Sequence, residues 1–353
     1  MAIPVPEAIG PTEELSAAPL MELTGSFWAF KTLAAAVELG LFSRLAGGRA
    51  VTVGELAGDL SWDERPVDML LAGCASLGLL EKEGEGYRNS ALSEAFLVEG
   101  RPGYFGGWVR YADRREYPSW HRLLDALAEN RPVTWDPETQ DSLFSAEDTQ
   151  MLELFWDGMD SISSSTARTL GRHYDFGKHR RLLDVGGGGG TYPIELCRMF
   201  PGLRATVFDL PHVCRIAEGK AAEAGLNLRV GTVAGDFLND EALPDGYDVL
   251  LLSMILHDWD EETGRALLGK CRKALVPGGT IIISEQMLNP ERTGPRGAAL
   301  MGVNMIVETT GGRNYSETEY LTWLGEAGFT GARVLRFESA GANGVVMARN
   351  QRL

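Results

Sequence analysis

The sequence predicts an α/β protein in which a doubly wound, mostly parallel sheet follows a mostly helical half. From about residue 180 onward, short apolar runs alternate with segments of helical periodicity, which is typical of strands joined by crossover helices. A glycine-rich loop follows the first of these strands, at residues 186–190. Before residue 174, apolar residues recur mainly at helical spacing. The seven strand candidates are RLLDV, RATVFDL, LRVGTVAG, YDVLLLSMIL, GTIIISEQ, ARVLRFE and GVVMARN.

Helices between the first five strands are expected to begin near Thr191, Val213, Asp240 and Asp260. The last two strands lie close together in sequence, which favours an antiparallel hairpin at the edge of the sheet. We assign residues 175–353 to this sheet domain and residues 19–174 to a helical domain. Residues 1–18, rich in Pro, Ala and Glu, are expected to form a flexible N-terminus.

The helical domain begins with residues 22–46, whose apolar side chains predict amphipathic helices with a broad apolar face. Thr52 then caps a short helix, a second helix covers residues 65–80, and residues 81–89 are typical of a small hairpin. This order is that of a winged helix, which can bind DNA or serve in packing and dimerisation. Base contacts require Arg, Lys, Asn or Gln on the second helix, and here only Arg65 is basic. The pattern therefore favours dimerisation.

Composition excludes several functional classes. A formal net charge of −16 argues against binding to nucleic acid or to an anionic membrane surface. The four cysteines lack metal-ligand spacing, so we expect reduced thiols and no metal site. The N-terminal segment has no secretory pattern and no apolar run is long enough to span a membrane, so we expect a cytoplasmic protein.

The glycine loop distinguishes between two classes of cofactor. The dinucleotide fingerprint GxGxxG requires Gly or Ala at its third position, where this loop has Thr or Tyr in either frame. The loop instead matches D-x-G-x-G-x-G, formed by Asp184, Gly186, Gly188 and Gly190. A carboxylate at the first position would repel a pyrophosphate, whereas it suits a cationic ligand such as a sulfonium amino acid.

Two later motifs extend this cofactor site. Asp209, followed by Leu210, ends the second strand, where an acid can bind both ribose hydroxyls. Gly235, Asp236 and Phe237 close the third strand, where the Asp can hold an adenine amino group and the Phe can stack on the ring. The order of the motifs predicts S-adenosylmethionine as the cofactor, with S-adenosylhomocysteine as its product.

Candidate reactive groups follow the fourth and fifth strands. His257, beside Asp258, comes at the carboxyl end of the fourth strand, where doubly wound folds place their chemistry. Histidine titrates near neutral pH and can accept a proton from a phenol as a methyl group arrives. Glu285 ends the fifth strand and could orient the imidazole. Upstream, residues 104–166 are dense in aromatics, including Trp108, which serve either as core or as the lining of an aromatic pocket.

From about Leu20 to Ala348 the chain resembles the caffeic-acid and acetylserotonin type of small-molecule O-methyltransferases, including bacterial antibiotic-pathway members. The resemblance rests on LLDVGGGGGTYPIELCRMFPGLRATVFDLPHV, GDF, LHDWDEE, LVPGG and the winged-helix half. It implies a homodimer with interlocked N-terminal helices and an acceptor pocket between the two domains. It also implies that His257 is the base, that Glu285 supports it, and that Gly186, Asp209, Asp236 and Phe237 contact the cofactor. Acceptor positions implied by the family are Phe155, Met159, Met301 and Met305.

Two positions depart from the family pattern. Ser253, which we include in the cofactor site, replaces a lysine that plant members carry four residues before the histidine. Asn314, which we place near the acceptor, replaces a second supporting glutamate. Glu308 is near in sequence and could substitute for that glutamate.

Several functions stay open at this point. The leading hypothesis is O-methylation of a hydroxyl on a small phenolic or polyketide-like acceptor. The same scaffold could methylate carbon on an aromatic amino acid, an activated ring or a keto acid, or it could bind the cofactor for non-methylating chemistry. A winged-helix regulator is disfavoured by the charge and by the apolar second helix.

Overall fold

The computed structural model describes residues 15–140 and 149–351. Most of the N-terminal segment predicted to be flexible, residues 1–18, lies outside the described residues. By packing, the chain divides after Arg114 into two compact units. This division does not coincide with the predicted boundary at residue 174, because the long helix before that residue packs against the first helix of the sheet domain.

The first unit contains the predicted winged helix, with a three-stranded sheet in the order β1-β3-β2. Thr52 caps the third helix through a capping box with Glu55, because each side chain bonds the other residue's backbone N–H. The elements of this unit are α1 Ala18–Glu38, α2 Leu41–Arg44, β1 Val51–Thr52, α3 Val53–Leu60, α4 Glu64–Ser76, β2 Leu80–Glu83, β3 Gly86–Asn89, α5 Ala91–Phe96 and α6 Gly106–Tyr111.

Helix α1 leaves large apolar side chains exposed. Phe27 and Trp28 are 48% and 60% exposed, and their rings meet edge to face. Leu20, Met21 and Leu23 are more than half exposed. A concentration of apolar side chains this large on a protein surface marks an interaction site.

The second unit is a seven-stranded sheet in the order β6-β5-β4-β7-β8-β10-β9. All pairs are parallel except β10 with β8 and with β9, so the predicted hairpin at the sheet edge is confirmed. Its elements are α7 Tyr117–Ser119, α8 Leu123–Glu129, α9 Thr149–His173, β4 Arg181–Val185, α10 Thr191–Met199, β5 Arg204–Asp209, α11 Pro211–Glu223, β6 Val230–Ala234, β7 Tyr247–Ser253, α12 Glu261–Ala274, β8 Leu275–Ser284, α13 Arg296–Glu308, α14 Glu317–Glu326, β9 Thr330–Arg336 and β10 Gly344–Arg349.

The prediction of a helix near Asp240 is wrong, because the structure has a loop between β6 and β7. The backbone N–H of Asp236 instead donates to the Asp240 carboxylate at 2.8 Å, and the Lys270 ammonium caps the carbonyls of Phe237, Leu238 and Asp240. Aspartate side chains compete with helix formation by bonding nearby backbone groups. Pro244 and Gly246 further disfavour a helix in this short connection.

Strand β4 lies inside the sheet, between β5 and β7. From β4 the chain builds β5 and β6 on one side, and β7 then returns to the other side. This reversal opens a crevice at the carboxyl ends of β4 and β7, where such folds bind ligands. In the part of the chain that the structure describes, no helix is long and apolar enough to cross a membrane.

Candidate active site

The glycine loop follows β4 at the crevice. Gly186 and Gly188 have φ angles of +67° and +57°, which L-residues with side chains rarely adopt. A Cβ on Gly186 would lie 2.5 Å from the Ile255 side chain, and one on Gly188 would lie 2.7 Å from the Trp156 ring. Packing and backbone conformation therefore keep the loop free of side chains, which lets a ligand approach its backbone closely.

Asp209, at the end of β5, is tied to the loop. One carboxylate oxygen accepts from the Gly188 N–H at 2.8 Å, and the other accepts from the Leu210 N–H at 2.7 Å. Burial raises the pKa of Asp209, while these two backbone hydrogen bonds lower it. The arrangement holds a carboxylate at the carboxyl edge of the sheet, where it suits a pair of ribose hydroxyls.

Asp184 lies beneath the same loop and is 2% exposed. Burial, together with the nearby Asp209 carboxylate, raises the pKa of Asp184 to about 8. A buried acid with no cation beside it favours its neutral form, whereas a bound cation would favour the carboxylate. Ser253 ends β7 at the same edge, paired in register with Ser284 of β8.

Gly235, Asp236 and Phe237 follow β6. The Asp236 carboxylate accepts from the Leu238 N–H and from the Asn239 amide, so it is partly engaged within its own turn. The Phe237 ring lies close to Gly186 and meets the Trp259 indole edge to face, with centroids 5.9 Å apart. Trp259 is not among the site residues predicted from the sequence, although it directly follows His257 and Asp258.

His257 is 4% exposed, and its Nδ1–H donates to Glu285 Oε2 at 2.6 Å. Glu285 Oε1 accepts from the N–H groups of Ile255 and Leu256, both at 3.0 Å. These three hydrogen bonds fix the position of the Glu285 carboxyl group, and they leave Nε2 as the imidazole nitrogen that can accept a proton.

Asp258 Oδ1 lies 3.4 Å from His257 Nε2. Burial lowers the pKa of His257, but the Glu285 and Asp258 carboxylates outweigh it and raise that pKa to about 9. Burial raises the pKa of Asp258 to about 6, although His257 opposes this change. The pair therefore binds a proton tightly near neutral pH.

Glu308 ends α13 and is 4% exposed. Its Oε2 accepts from the Thr134 hydroxyl at 3.1 Å and pairs with Arg115 at 3.4 Å. Burial raises the pKa of Glu308, and burial with the Glu308 charge raises that of Glu116 to about 7. Arg115, Glu116 and Thr134 gave no sequence signal, because they lie more than 170 residues from Glu308.

Asn314 does not take the place of a second supporting glutamate by direct contact. Its Nδ2 donates to the Gln286 carbonyl at 2.7 Å, and none of the hydrogen bonds among the described residues joins it or Glu308 to His257. Glu308 instead acts on Asp258 through its charge, which contributes to the raised pKa of Asp258.

The remaining predicted acceptor residues lie on three helices. Met301 and Met305 lie on α13, where Met305 is buried and Met301 is half-buried, and Phe155 and Met159 are half-buried on α9. Trp108 lies on α6 of the first unit, where its ring meets Tyr111. No group of acids, histidines and cysteines among the described residues is arranged to hold a metal ion.

Comparisons with known proteins match both halves of the chain. A model of the O-methyltransferase domain covers residues 120–330, and one of the O-methyltransferase dimerisation domain covers residues 21–99. A 3-hydroxy-5-methyl-1-naphthoate 3-O-methyltransferase of Streptomyces sahachiroi is 46% identical over 327 residues, which are 93% of each chain. The tetracenomycin polyketide synthesis 8-O-methyl transferase TcmO of Streptomyces glaucescens is 33% identical, over 89% of this chain and 91% of its own.

Solved structures show the same similarity. Human N-acetylserotonin methyltransferase in complex with S-adenosylmethionine aligns with a TM-score of 0.83 and 28% identity, over 98% of this chain and 100% of its own. Fold, loop and comparisons together define the class: the enzyme is a methyltransferase that depends on S-adenosylmethionine. More narrowly, the chain belongs to the O-methyltransferase family. The predicted fold class, cofactor and family are thereby confirmed.

Proposed function

We propose that the enzyme methylates a phenolic hydroxyl of a small, polyketide-like aromatic acceptor, with His257 as the general base. The observation that carries this proposal is the hydrogen bond from His257 Nδ1 to Glu285, which holds Nε2 available at the carboxyl edge of the sheet. The names of the two Streptomyces relatives, a naphthoate 3-O-methyltransferase and TcmO, support the same acceptor class.

The cofactor site assigned here fits S-adenosylmethionine. The loop at Gly186 and Gly188 admits no side chain, Asp209 presents a carboxylate for the ribose, and buried Asp184 suits a cationic group. When bound, the cofactor supplies an electrophilic methyl group on a sulfonium. The protein's main tasks are then to align the acceptor and to remove its proton.

His257 performs the proton transfer. Its Nε2 takes the hydroxyl proton as the oxygen–methyl bond forms, and the Glu285 carboxylate stabilises the resulting imidazolium through Nδ1–H. Because the raised pKa of His257 favours the imidazolium near neutral pH, the reactive neutral form is a minority there. Asp258, next to Nε2, adds a second negative charge that stabilises the imidazolium.

We also propose that two copies of the chain associate through helix α1. The dimerisation-domain match covers this helix, and its exposed apolar side chains would be buried by a partner. The four cysteines are buried free thiols, which suits the reducing, cytoplasmic setting that we propose.

The test is methyl transfer from a cofactor carrying a deuterated methyl group to 3-hydroxy-1-naphthoic acid and related phenols. We expect S-adenosylhomocysteine release and an O-linked deuterated methyl group by NMR. The matched control acceptor is the corresponding methyl ether, which offers no hydroxyl and should not react. A deuterated methyl group on ring carbon would replace the proposal by C-methylation.

A further inference from the structure

Asp160, in helix α9, ties together three elements around the glycine loop. Its carboxylate accepts a hydrogen bond from the hydroxyl of Thr191, the first residue of α10, and forms an ion pair with Lys220 of α11. The glycine loop ends directly before Thr191, at Gly190, so the Thr191 contact joins α9 to the end of the loop. The Asp160–Lys220 ion pair lies beside Gly189 of the loop, and we call this pair the clasp.

Gly189 of the loop lies close to both side chains of the clasp. A Cβ on Gly189 would lie 2.9 Å from the Lys220 ammonium and 3.3 Å from the Asp160 carboxylate. Trp156, one helical turn before Asp160, covers the neighbouring Gly188. Residues four apart share one helix face, so α9 presents Trp156 and Asp160 to the loop together. A side chain at Gly188 would therefore meet the Trp156 ring, and one at Gly189 would displace the Lys220 ammonium from its position beside Asp160.

The same helix carries proposed acceptor residues. Phe155 and Met159 directly precede Trp156 and Asp160, and both are half-buried. Successive residues are rotated by about 100° around a helix, so these two lie on an adjoining stripe of α9. Any movement of α9 against the loop therefore shifts both stripes together.

We propose that the Asp160–Lys220 clasp is a positioning device that couples cofactor binding at the glycine loop to the placement of α9. Its link to the acceptor rests on the proposed function, whereas its link to the cofactor does not. If the clasp favours the loop conformation that binds cofactor, the bound cofactor must equally favour the clasped position of α9, because such coupling is reciprocal. The Asp160 and Lys220 side chains are 30% and 25% exposed, so removing the pair should leave the fold intact.

The first test measures S-adenosylhomocysteine affinity by calorimetry in Asp160→Asn, Lys220→Gln and the double variant. Asp160→Asn keeps an oxygen for Thr191 but removes the charge. We expect each single change to weaken binding about 10-fold and the double variant to lose little more, since both changes break the same pair. Glu153→Gln, an exposed acid on the same helix, is the matched control and should bind normally.

A second measurement detects the coupling without methyl transfer. Amide hydrogen exchange across residues 155–165 should slow when S-adenosylhomocysteine binds the native protein and should respond much less in Asp160→Asn. The charge-reversed pair Asp160→Lys with Lys220→Asp should restore part of both effects. Unchanged affinity and unchanged exchange in the single variants would overturn the clasp, as would strictly additive losses. Neither readout involves an acceptor or His257, so a failure of the proposed function would leave these results interpretable.

Discussion

Asp258 Oδ1 lies 3.4 Å from Nε2 of His257, the nitrogen that Glu285 leaves free by binding Nδ1 at 2.6 Å. The imidazole therefore lies between two carboxylates. Glu285 orients the imidazole, and both carboxylates stabilise its protonated form. This geometry makes proton release from His257 a step that pH should control.

We predict that kcat/KM for a phenolic acceptor rises with pH and levels off above about 9. The sign follows from the base, because only neutral imidazole accepts a proton and the pKa of His257 is raised to about 9. Asp258→Asn removes a charge that raises this pKa, so the rise should move to lower pH. A pH–rate profile measures both effects, and the exposed control Glu262→Gln should keep the native profile. An Asp258→Asn profile identical to the native one would remove Asp258 from this role.

Removing either member of the His257–Glu285 pair should affect turnover and spare cofactor binding. We expect His257→Ala and Glu285→Gln to lower kcat by about 10²-fold or more, the usual scale for a general base. S-adenosylhomocysteine affinity, measured by calorimetry, should stay within about twofold, since neither side chain belongs to the assigned cofactor site. Glu291→Gln, an exposed acid near Glu285, should behave as the native enzyme. Native turnover in His257→Ala would disprove the proposed base.

Cofactor binding should release a proton from Asp184. In the free protein its pKa is raised to about 8, so the carboxyl is mostly protonated at pH 7. A cationic group bound beside it favours the ionised form, so S-adenosylmethionine affinity should increase as the pH rises toward 8. Calorimetry in two buffers of different ionisation enthalpy counts the released proton. Asp184→Asn should abolish the release, and an equal release in that variant would assign it elsewhere.

The dimer proposal predicts that a charge on helix α1 separates the subunits. Trp28→Glu should weaken association by at least about 30-fold, a loss expected for an aromatic anchor in an interface. Light scattering after size exclusion gives the mass directly. Leu92→Glu, at another exposed apolar residue of the first unit, is the control and should remain dimeric. A dimer in Trp28→Glu at low micromolar concentration would show that the interface lies elsewhere.

Much of the fold could be predicted from the sequence because the strands, the helix cap and the hairpin depend on residues close together in the chain. The strands of the sheet were visible as short apolar runs, and the Thr52 capping box and the wing follow from residues only a few positions apart. The prediction of a helix near Asp240 was wrong because the deciding contact is not local. The sequence around Asp240 gives no sign that the Lys270 ammonium binds the loop carbonyls. That contact spans 30 residues and depends on where α12 packs.

The sequence by itself determined the cofactor class and predicted where the candidate site residues lie along the chain. The acid before the glycine loop, Asp209 after β5 and His257 after β7 all come at the carboxyl ends of parallel strands, and the fold gathers those ends at one edge. Only the tertiary structure decided which side chains meet there. Glu308 pairs with Arg115 rather than with His257, Asn314 bonds a backbone carbonyl, and Asp160 pairs with Lys220 beside the glycine loop. Such pairings depend on the packing of helices far apart in sequence, because a side chain's partner is fixed by distance and burial rather than by its neighbours along the chain.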